Sequence, residues 1–377
     1  MTRIRPYVQL ARDIARANVT RPGYPYRLIL CLTYWCNYRC KTCNIWQMRP
    51  KDELTLEEVE MFFRKNDRFS WIDLTGGEPW LRKDFAEIAK IVTRQCKGLL
   101  LLHFPTNGYH TDRIVEGTRE IAKNAPPKFI VTVSMDGDEE TNDSVRGMDG
   151  GWRRQIETFR RLHEIRGVHV VLGMTVSHHN LGHYDKAFEA ARKECPWLTH
   201  QDFHMNIVTT GHYLHNADLA LGRAPKNALL AEVRAYRKKR GPVLGPVSFL
   251  EHEYLRLAEK YLRTGRTPMR CQALNSSCFV DSWGNVFPCT VWGKKIGSLR
   301  ETGFDLAPIW ESELARRTQG EVWRLECPQC WTPCEAYPTI LGSSFASPVP
   351  EAAGGGSPAR RPAVARAGGA VRTREIR

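Results

Sequence analysis

Tyr26-Arg27-Leu28-Ile29-Leu30-Cys31-Leu32-Thr33, followed after two residues by Cys36-Asn37-Tyr38-Arg39-Cys40-Lys41-Thr42-Cys43, decides the reading of this chain. The first eight residues form an apolar, strand-like run. The second eight are a CxxxCxxC segment that supplies three thiols and leaves a fourth metal position without a cysteine nearby. A structural zinc site is normally closed by four protein ligands, whereas a 4Fe-4S cluster held by three cysteines keeps one iron open to a small molecule. The thiol loop would stand at the C-terminal end of a first β-strand, where ligands collect in α/β folds.

Further strand-like runs end in polar or glycine-rich segments. Residues 71–74 lead into Thr75-Gly76-Gly77-Glu78-Pro79, Thr106-Asn107-Gly108 follows a third run, and residues 130–134 lead into Ser134-Met135-Asp136-Gly137, with Arg146-Gly147 beyond. In this order the motifs resemble those of the radical S-adenosylmethionine (radical SAM) superfamily. The resemblance implies that Gly76, Gly77 and Glu78 form a GGEP segment binding the methionyl amino group of SAM, where glycine lets backbone approach a ligand closely. It implies that Ser134, Asp136 and Arg146 hold the carboxylate or ribose and that Asn107 belongs to the same site. Before the third cysteine the family often has an aromatic residue and this chain has Thr42, whose backbone remains to contact the adenine edge. Tyr38 and Trp46 are candidates for stacking, and Asn180 is a further candidate for SAM contact.

From residue 26 to about 208, strand-like runs alternate with amphipathic helices six times, which argues for a parallel sheet of βα units. Thr55 with Glu58 forms a capping box ahead of one helix, and Asp84 is expected to cap the next. Strands are expected at residues 99–104, 129–134, 168–175 and 203–208. The fold class expected is α/β: a partial (β/α)6 TIM-like barrel, too short in chain for eight units, followed by a small α+β domain. The expected division is an amphipathic N-terminal helix (1–25), the core (26–215), a helical bridge (216–265), a second domain (266–342) and a disordered basic tail (343–377).

That second domain carries a second cysteine cluster. Cys271 is followed by Gly284 and Cys289, then by Cys327-Pro328-Gln329-Cys330 and Cys334, while Ser282-Trp283-Gly284-Asn285 reads as a hairpin turn. The spacing resembles the twitch domain, a shortened relative of the SPASM domain, and implies one auxiliary Fe-S cluster, expected to be 4Fe-4S, held by Cys271, Cys289, Cys327 and Cys330. Cys278 and Cys334 compete for the same positions, and a zinc ribbon is the alternative use of such CxxC pairs. Cys31, Cys96 and Cys195 read as buried thiols.

The 377 residues, 42% of them hydrophobic, suffice for a large domain and a smaller one. Twelve cysteines at metal-like spacings, with no signal-peptide pattern, favour a reducing, cytoplasmic setting over a disulfide framework. No apolar run reaches the length of a spanning helix. The formal charge of +14 owes part of its size to Arg360, Arg361, Arg366, Arg372, Arg374 and Arg377, in a tail too poor in large apolar residues to order itself. In residues 3–19, Ile4, Tyr7, Val8, Ala11, Ile14 and Ala15 recur at helical spacing, with Arg5, Arg12 and Arg16 beside them. This helix either caps the barrel floor or docks at an anionic membrane surface. His178, His179 and His183, and His204, Asn206 and His212, are expected near the barrel mouth as substrate contacts; no catalytic side chain is assigned.

The resemblance implies reductive cleavage of SAM to a 5'-deoxyadenosyl radical that takes hydrogen from an unactivated C–H bond, with the auxiliary cluster aiding substrate oxidation or carbon-bond formation. It implies a small electron donor such as a flavodoxin or ferredoxin. A peptide, a lipid and another small molecule are the substrate classes left open. The alternative is a non-catalytic Fe-S or zinc regulator that binds nucleic acid through its basic tail, for which a GGEP segment in register with CxxxCxxC has no use.

Overall fold

The computed structural model describes residues 4–219, 221 and 224–344; the basic tail expected from residue 343 lies almost wholly outside them. In chain order the elements are α1 (Arg5–Val19), β1 (Arg27–Cys31), α2 (Leu56–Lys65), β2 (Trp71–Thr75), α3 (Phe85–Gln95), β3 (Leu101–Thr106), α4 (Thr111–Ala122), β4 (Lys128–Ser134), α5 (Glu139–Arg146), α6 (Gly151–His163), β5 (Val168–Val176), α7 (Tyr184–Glu194) and β6 (Phe203–Ile207). There follow α8 (Lys226–Lys239), α9 (Pro246–Thr264), β7 (Ser277–Val280), β8 (Asn285–Phe287), β9 (Gly297–Ser298), α10 (Ala307–Glu311), α11 (Glu313–Trp323) and α12 (Pro333–Gly342).

β1 to β6 pair in parallel, each with the next, and the βα repeat gives the six-unit open barrel. In β3, β4 and β5 burial alternates along the strand. Leu102, Phe104, Val131 and Val133 are buried in the main core, while His103, Pro105, Thr132 and Ser134 line cavities inside the barrel. This is the period-2 geometry of a strand with a helix layer on one side and a hollow on the other.

The second module does not stand apart from the barrel. β7 pairs in parallel with β1, and the β7–β8 hairpin and β9 extend the same sheet to the order β6-β5-β4-β3-β2-β1-β7-β8-β9. Gly284 has φ +82° at the hairpin turn, a conformation glycine adopts without penalty. The helical bridge is α8 and α9, which pack on each other.

Both halves of the Thr55 capping box form: Glu58 N–H donates to Thr55 Oγ1 at 3.2 Å and Thr55 N–H to Glu58 Oε2 at 2.9 Å. Asp84 occupies the N-cap of α3 but makes no side-chain cap. Its two carboxylate oxygens accept instead from Arg82, both at 2.8 Å, because a bidentate guanidinium competes better for the carboxylate than a single N–H does. The expected apolar stripe of α1 faces outward: Ile4, Tyr7, Val8, Ala11 and Ala15 are exposed, while Gln9, Leu10, Asp13, Ile14 and Ala17 turn toward the protein.

Candidate active site and auxiliary thiol cluster

At the C-terminal mouth of the barrel a cavity of about 320 Å³ opens, lined by Cys36, Cys40 and Cys43 together with Gly76, Gly77, Asn107, Ser134, Asp136 and Arg146. The thiol loop is pinned from several directions. Glu53 accepts from Tyr34 N–H at 2.7 Å and from Thr33 Oγ1 at 2.8 Å. Arg39 N–H and Lys41 N–H donate to the carbonyls of Arg146 and Val145 at 3.1 and 2.8 Å, so the loop docks on the C-terminus of α5. Gly147 ends that helix with φ +61°, and a Cβ there would stand 2.6 Å from Arg39 O. Only glycine permits both the turn and the approach.

Gly76 and Gly77 serve a similar purpose. A Cβ on Gly76 would meet Thr33 O at 2.7 Å, and one on Gly77 would meet Trp35 O at 2.3 Å and Cys36 Cβ at 2.9 Å. What these glycines admit so closely is the backbone that carries the first cysteine. Gly77 N–H donates to Thr33 O at 2.7 Å, and Glu78 N–H to Trp35 O at 2.8 Å. Glu78 itself is not in the cavity lining. It is 1% exposed, and its carboxylate accepts from Asn107 N–H at 2.6 Å, Thr106 Oγ1 at 2.8 Å and Trp80 N–H at 3.3 Å, tying the loop after β2 to that after β3. Burial pushes its carboxyl up to about 7, against the pull of those donors.

Asp136 and Arg146 form a buried ion pair at 2.7 Å. The other Asp136 oxygen accepts from Thr175 N–H at 2.8 Å, and Arg146 lies 5.3 Å from the Tyr38 ring. Burial pushes the Cys36 thiol up to about 12, with neighbouring Cys40 adding to the effect; Cys43 rises to about 12 for the same reasons. Cys40 is raised by burial and opposed by Arg146. Arg146 Nε, Tyr38 Oη and Trp46 Nε1 are buried without a hydrogen-bond partner at this cavity. Three thiols that would release protons to metal, together with orphaned polar atoms around one space, fit a cluster with a polar ligand beside it.

Thr42 and Trp46 also line the mouth. Asn180 does not: its side chain donates to Asp136 O at 2.9 Å and Thr175 O at 3.0 Å, and its carbonyl accepts from Ser177 N–H, so it braces the loop after β4 from behind. Of the histidine candidates, His178, His179 and His183 are absent from the mouth lining, and His183 meets Thr141 Oγ1 at 3.0 Å. Asn206 lines the mouth, but His204, two residues earlier and therefore one layer lower, faces a second cavity at the barrel floor, 2.8 Å from Glu251. His212 packs on Phe287 instead of lining the mouth.

Two features escaped sequence reasoning. Tyr213, in the loop after β6, reaches across the mouth to Gly76 O and to Thr75 Oγ1, the latter at 3.0 Å. A polar belt crosses the lumen: Arg27 pairs with Asp73 at 2.9 Å, and His103 joins Asp73 at 2.8 Å and Thr132 at 2.9 Å. Burial drives the Asp73 carboxyl up, but Arg27 and His103 outweigh it and hold it below its ordinary value. The signal was a charged or polar residue inside each apolar run, at Arg27, Asp73 and His103.

The second module brings Cys271, Cys289, Cys327 and Cys330 to one small cavity, with Glu335 beside them. Ala273 N–H and Trp292 N–H point at the sulfurs of Cys271 and Cys289 at 3.5 and 3.4 Å. Cys278 is not among them; it lies in the main core, its position on β7 set beside Leu28 of β1. Cys334 lines the mouth cavity and the floor cavity instead, so the start of α12 forms a partition between the two. Among the described residues no three His, Cys, Asp or Glu side chains converge on a single metal ion; each thiol set rings a space.

Fold and site together define an Fe-S enzyme that uses S-adenosylmethionine. Residues 30–191 match the radical SAM superfamily and residues 271–335 the SPASM iron-sulfur cluster-binding domain, and the chain belongs to the radical SAM superfamily, with a SPASM-type domain behind its barrel. Its cofactors are SAM, a 4Fe-4S cluster and auxiliary Fe-S. The AdoMet-dependent heme synthase of Methanosarcina barkeri is 28% identical over 311 residues, covering 74% of this chain and 80% of that protein. The Fe-coproporphyrin III synthase of the same organism is 29% identical over 220 residues, covering 56% and 52%. Among solved structures, native anSMEcpe with bound AdoMet superposes with a TM-score of 0.57 at 15% identity over 85% of this chain and 97% of that one. Streptococcus suis SuiB bound to S-adenosylmethionine gives 0.53 at 14% identity over 83% and 69%. These two share the fold.

Proposed function

We propose that this enzyme abstracts hydrogen from an unactivated C–H bond of a substrate held in the mouth cavity, with Cys36, Cys40 and Cys43 as the ligands of the 4Fe-4S cluster. The observation that carries the reading is the cavity itself. It gathers those thiols with Gly76, Gly77, Asn107, Ser134, Asp136 and Arg146 around one space, whose lining also includes Thr290, Val291 and Cys334 of the second module. When bound, the cluster and SAM supply a primary alkyl radical able to attack such a bond.

The chain's own residues confine and orient. Arg146, already paired with Asp136, is the cation in the cavity lining suited to an anionic group of SAM, and Thr42 and Asn107 add polar groups to the same lining. Tyr213 and the loop after β6 cover the mouth and exclude water, which keeps a reactive centre from being quenched. Cys271, Cys289, Cys327 and Cys330 are assigned to one auxiliary cluster, serving substrate oxidation or carbon-bond formation, and a flavodoxin or ferredoxin is the electron donor expected.

Of the substrate classes, a small molecule is favoured, because similar curated proteins include an AdoMet-dependent heme synthase, an Fe-coproporphyrin III synthase and a GTP 3',8-cyclase; an iron tetrapyrrole is the first to offer, with peptides and lipids next. The outward apolar strip of α1 supports a peripheral contact with a membrane surface. No helix among the described residues is long and apolar enough to cross a membrane.

The test is 5'-deoxyadenosine formation from SAM by the anaerobically reconstituted, reduced protein. The Cys36→Ala/Cys40→Ala/Cys43→Ala variant should form none. Turnover by that variant equal to the parent would overturn the ligand assignment.

A further inference from the structure

Of the ten large apolar side chains exposed among the described residues, eight fall in two segments far apart in sequence. On α1, Ile4, Tyr7, Val8 and Val19 are 72, 45, 61 and 83% exposed; between α8 and the first turn of α9, Val243, Leu244, Val247 and Phe249 are 45, 74, 43 and 49% exposed. A monomeric protein scatters such residues singly, and their concentration marks a contact surface.

Both segments lie at the same end of the barrel. Gln9 of α1 donates to Arg68 O and Ser70 Oγ, and Asp13 accepts from Ser70 Oγ at 2.9 Å, immediately before β2 begins. Val247 lines the floor cavity with Trp71, Leu101 and Ile130, which stand at or near the starts of β2, β3 and β4. Between the segments runs α12, packed on α9 and joined to α1 by Asn18 Nδ2 donating to Leu341 O at 2.8 Å. This end is opposite to the thiol-lined mouth.

We propose that the barrel floor is one docking face for an anionic lipid bilayer, with α1 and the 243–249 segment as its two apolar feet. The proposal rests on the membrane reading of α1 and extends it to the whole floor. The charge pattern selects the occupant. Arg5, Arg12 and Arg16 are exposed along one edge of the α1 strip, and neither Arg5 nor Arg16 has a carboxylate within salt-bridge distance among the described residues. Lys238 is exposed at the end of α8, beside the second foot. Apolar side chains flanked by unpaired cations, with the aromatic Tyr7 and Phe249 among them, match a headgroup layer. Docked this way, the enzyme turns its mouth toward the aqueous phase, where a soluble electron donor can reach it.

The experiment is co-sedimentation of the intact, cluster-loaded protein with phosphatidylcholine vesicles and with vesicles containing one-quarter phosphatidylglycerol. The parent should partition onto the anionic vesicles. Val8→Asp and Leu244→Asp should each reduce partitioning about tenfold while leaving the melting temperature unchanged, since both positions face solvent. Loss in Val8→Asp with none in Leu244→Asp would overturn the two-footed floor while sparing the reading of α1. No vesicle binding by the parent would overturn both, and equal binding to vesicles without phosphatidylglycerol would overturn the anionic assignment.

Discussion

Gly77→Ala isolates the geometry on which the first thiol depends. The new Cβ would stand 2.3 Å from Trp35 O, 2.7 Å from Trp35 C and 2.9 Å from Cys36 Cβ. Van der Waals distance lies near 3.5 Å, so the two backbone segments must part by roughly an ångström. The obstruction is mainly main chain, which cannot swing aside as a flexible side chain can. Overpacking of this kind costs about 1–3 kcal/mol, and parting the segments weakens Gly77 N–H to Thr33 O and Glu78 N–H to Trp35 O, each worth about 1 kcal/mol. The total is about 3–5 kcal/mol, and the displacement falls on Cys36. Gly77 is not among the residues with positive φ, so the penalty is steric rather than conformational. The assay is iron and sulfide per chain after anaerobic reconstitution, with the electron paramagnetic resonance of the reduced protein. Gly77→Ala should lose the signal of the cluster at Cys36, Cys40 and Cys43 and retain that of the auxiliary thiols. Gly23→Ala, with nothing within 4 Å of its new Cβ, should match the parent and serves as the control. A Gly77→Ala protein with parental iron content and parental 5'-deoxyadenosine yield would refute the reasoning.

Three further outcomes are expected. Burial raises the Glu78 carboxyl to about 7, so between its ordinary value of 4.5 and 7 the folded state holds a proton that the unfolded state has released. Glu78 should therefore contribute a fall of about 3 kcal/mol in stability as pH rises through that window, levelling off above it. Glu335, which burial also pushes up to about 7, titrates in the same window, so the urea midpoints at pH 5 and pH 8 should differ in the parent and differ less, without converging, in Glu78→Gln. Asp73→Asn removes the carboxylate paired with Arg27 and leaves that buried guanidinium at the barrel floor with only Glu335, among the described residues, as a neighbouring carboxyl, which should cost about 3 kcal/mol in the same measurement. Thr55→Ala removes one half of the α2 capping box and should cost about 1 kcal/mol by thermal or chemical melting, with no change in iron content.

What the sequence made legible is what rests on local chemistry. Six apolar runs alternating with capped helices were enough for the open barrel, because period and capping are written within a few residues of where they act, as at Thr55 and Glu58. The cysteine loop and the GGEP segment were legible as partners, yet the reason for the glycines was not. They were expected to admit a ligand, and they also admit residues 33–36 of the chain itself, a contact between segments more than forty residues apart. Strand position was readable, whereas depth along the barrel was not: Asn206 and His204 share a face of β6, but one layer separates the mouth from the floor. The same distinction divides the spare cysteines. Cys278 and Cys334 have spacings that fit a cluster, and only the parallel pairing of β7 with β1 sends one into the core and the start of α12 sets the other between two cavities. That pairing joins the second module to the barrel as a continuous sheet, which is why residues from the auxiliary region, Thr290, Val291 and Cys334, line the mouth cavity itself. A change at the auxiliary thiols is thus transmitted to the mouth through shared backbone as well as through any exchange of electrons, so auxiliary-thiol variants should be judged on SAM binding as well as on turnover.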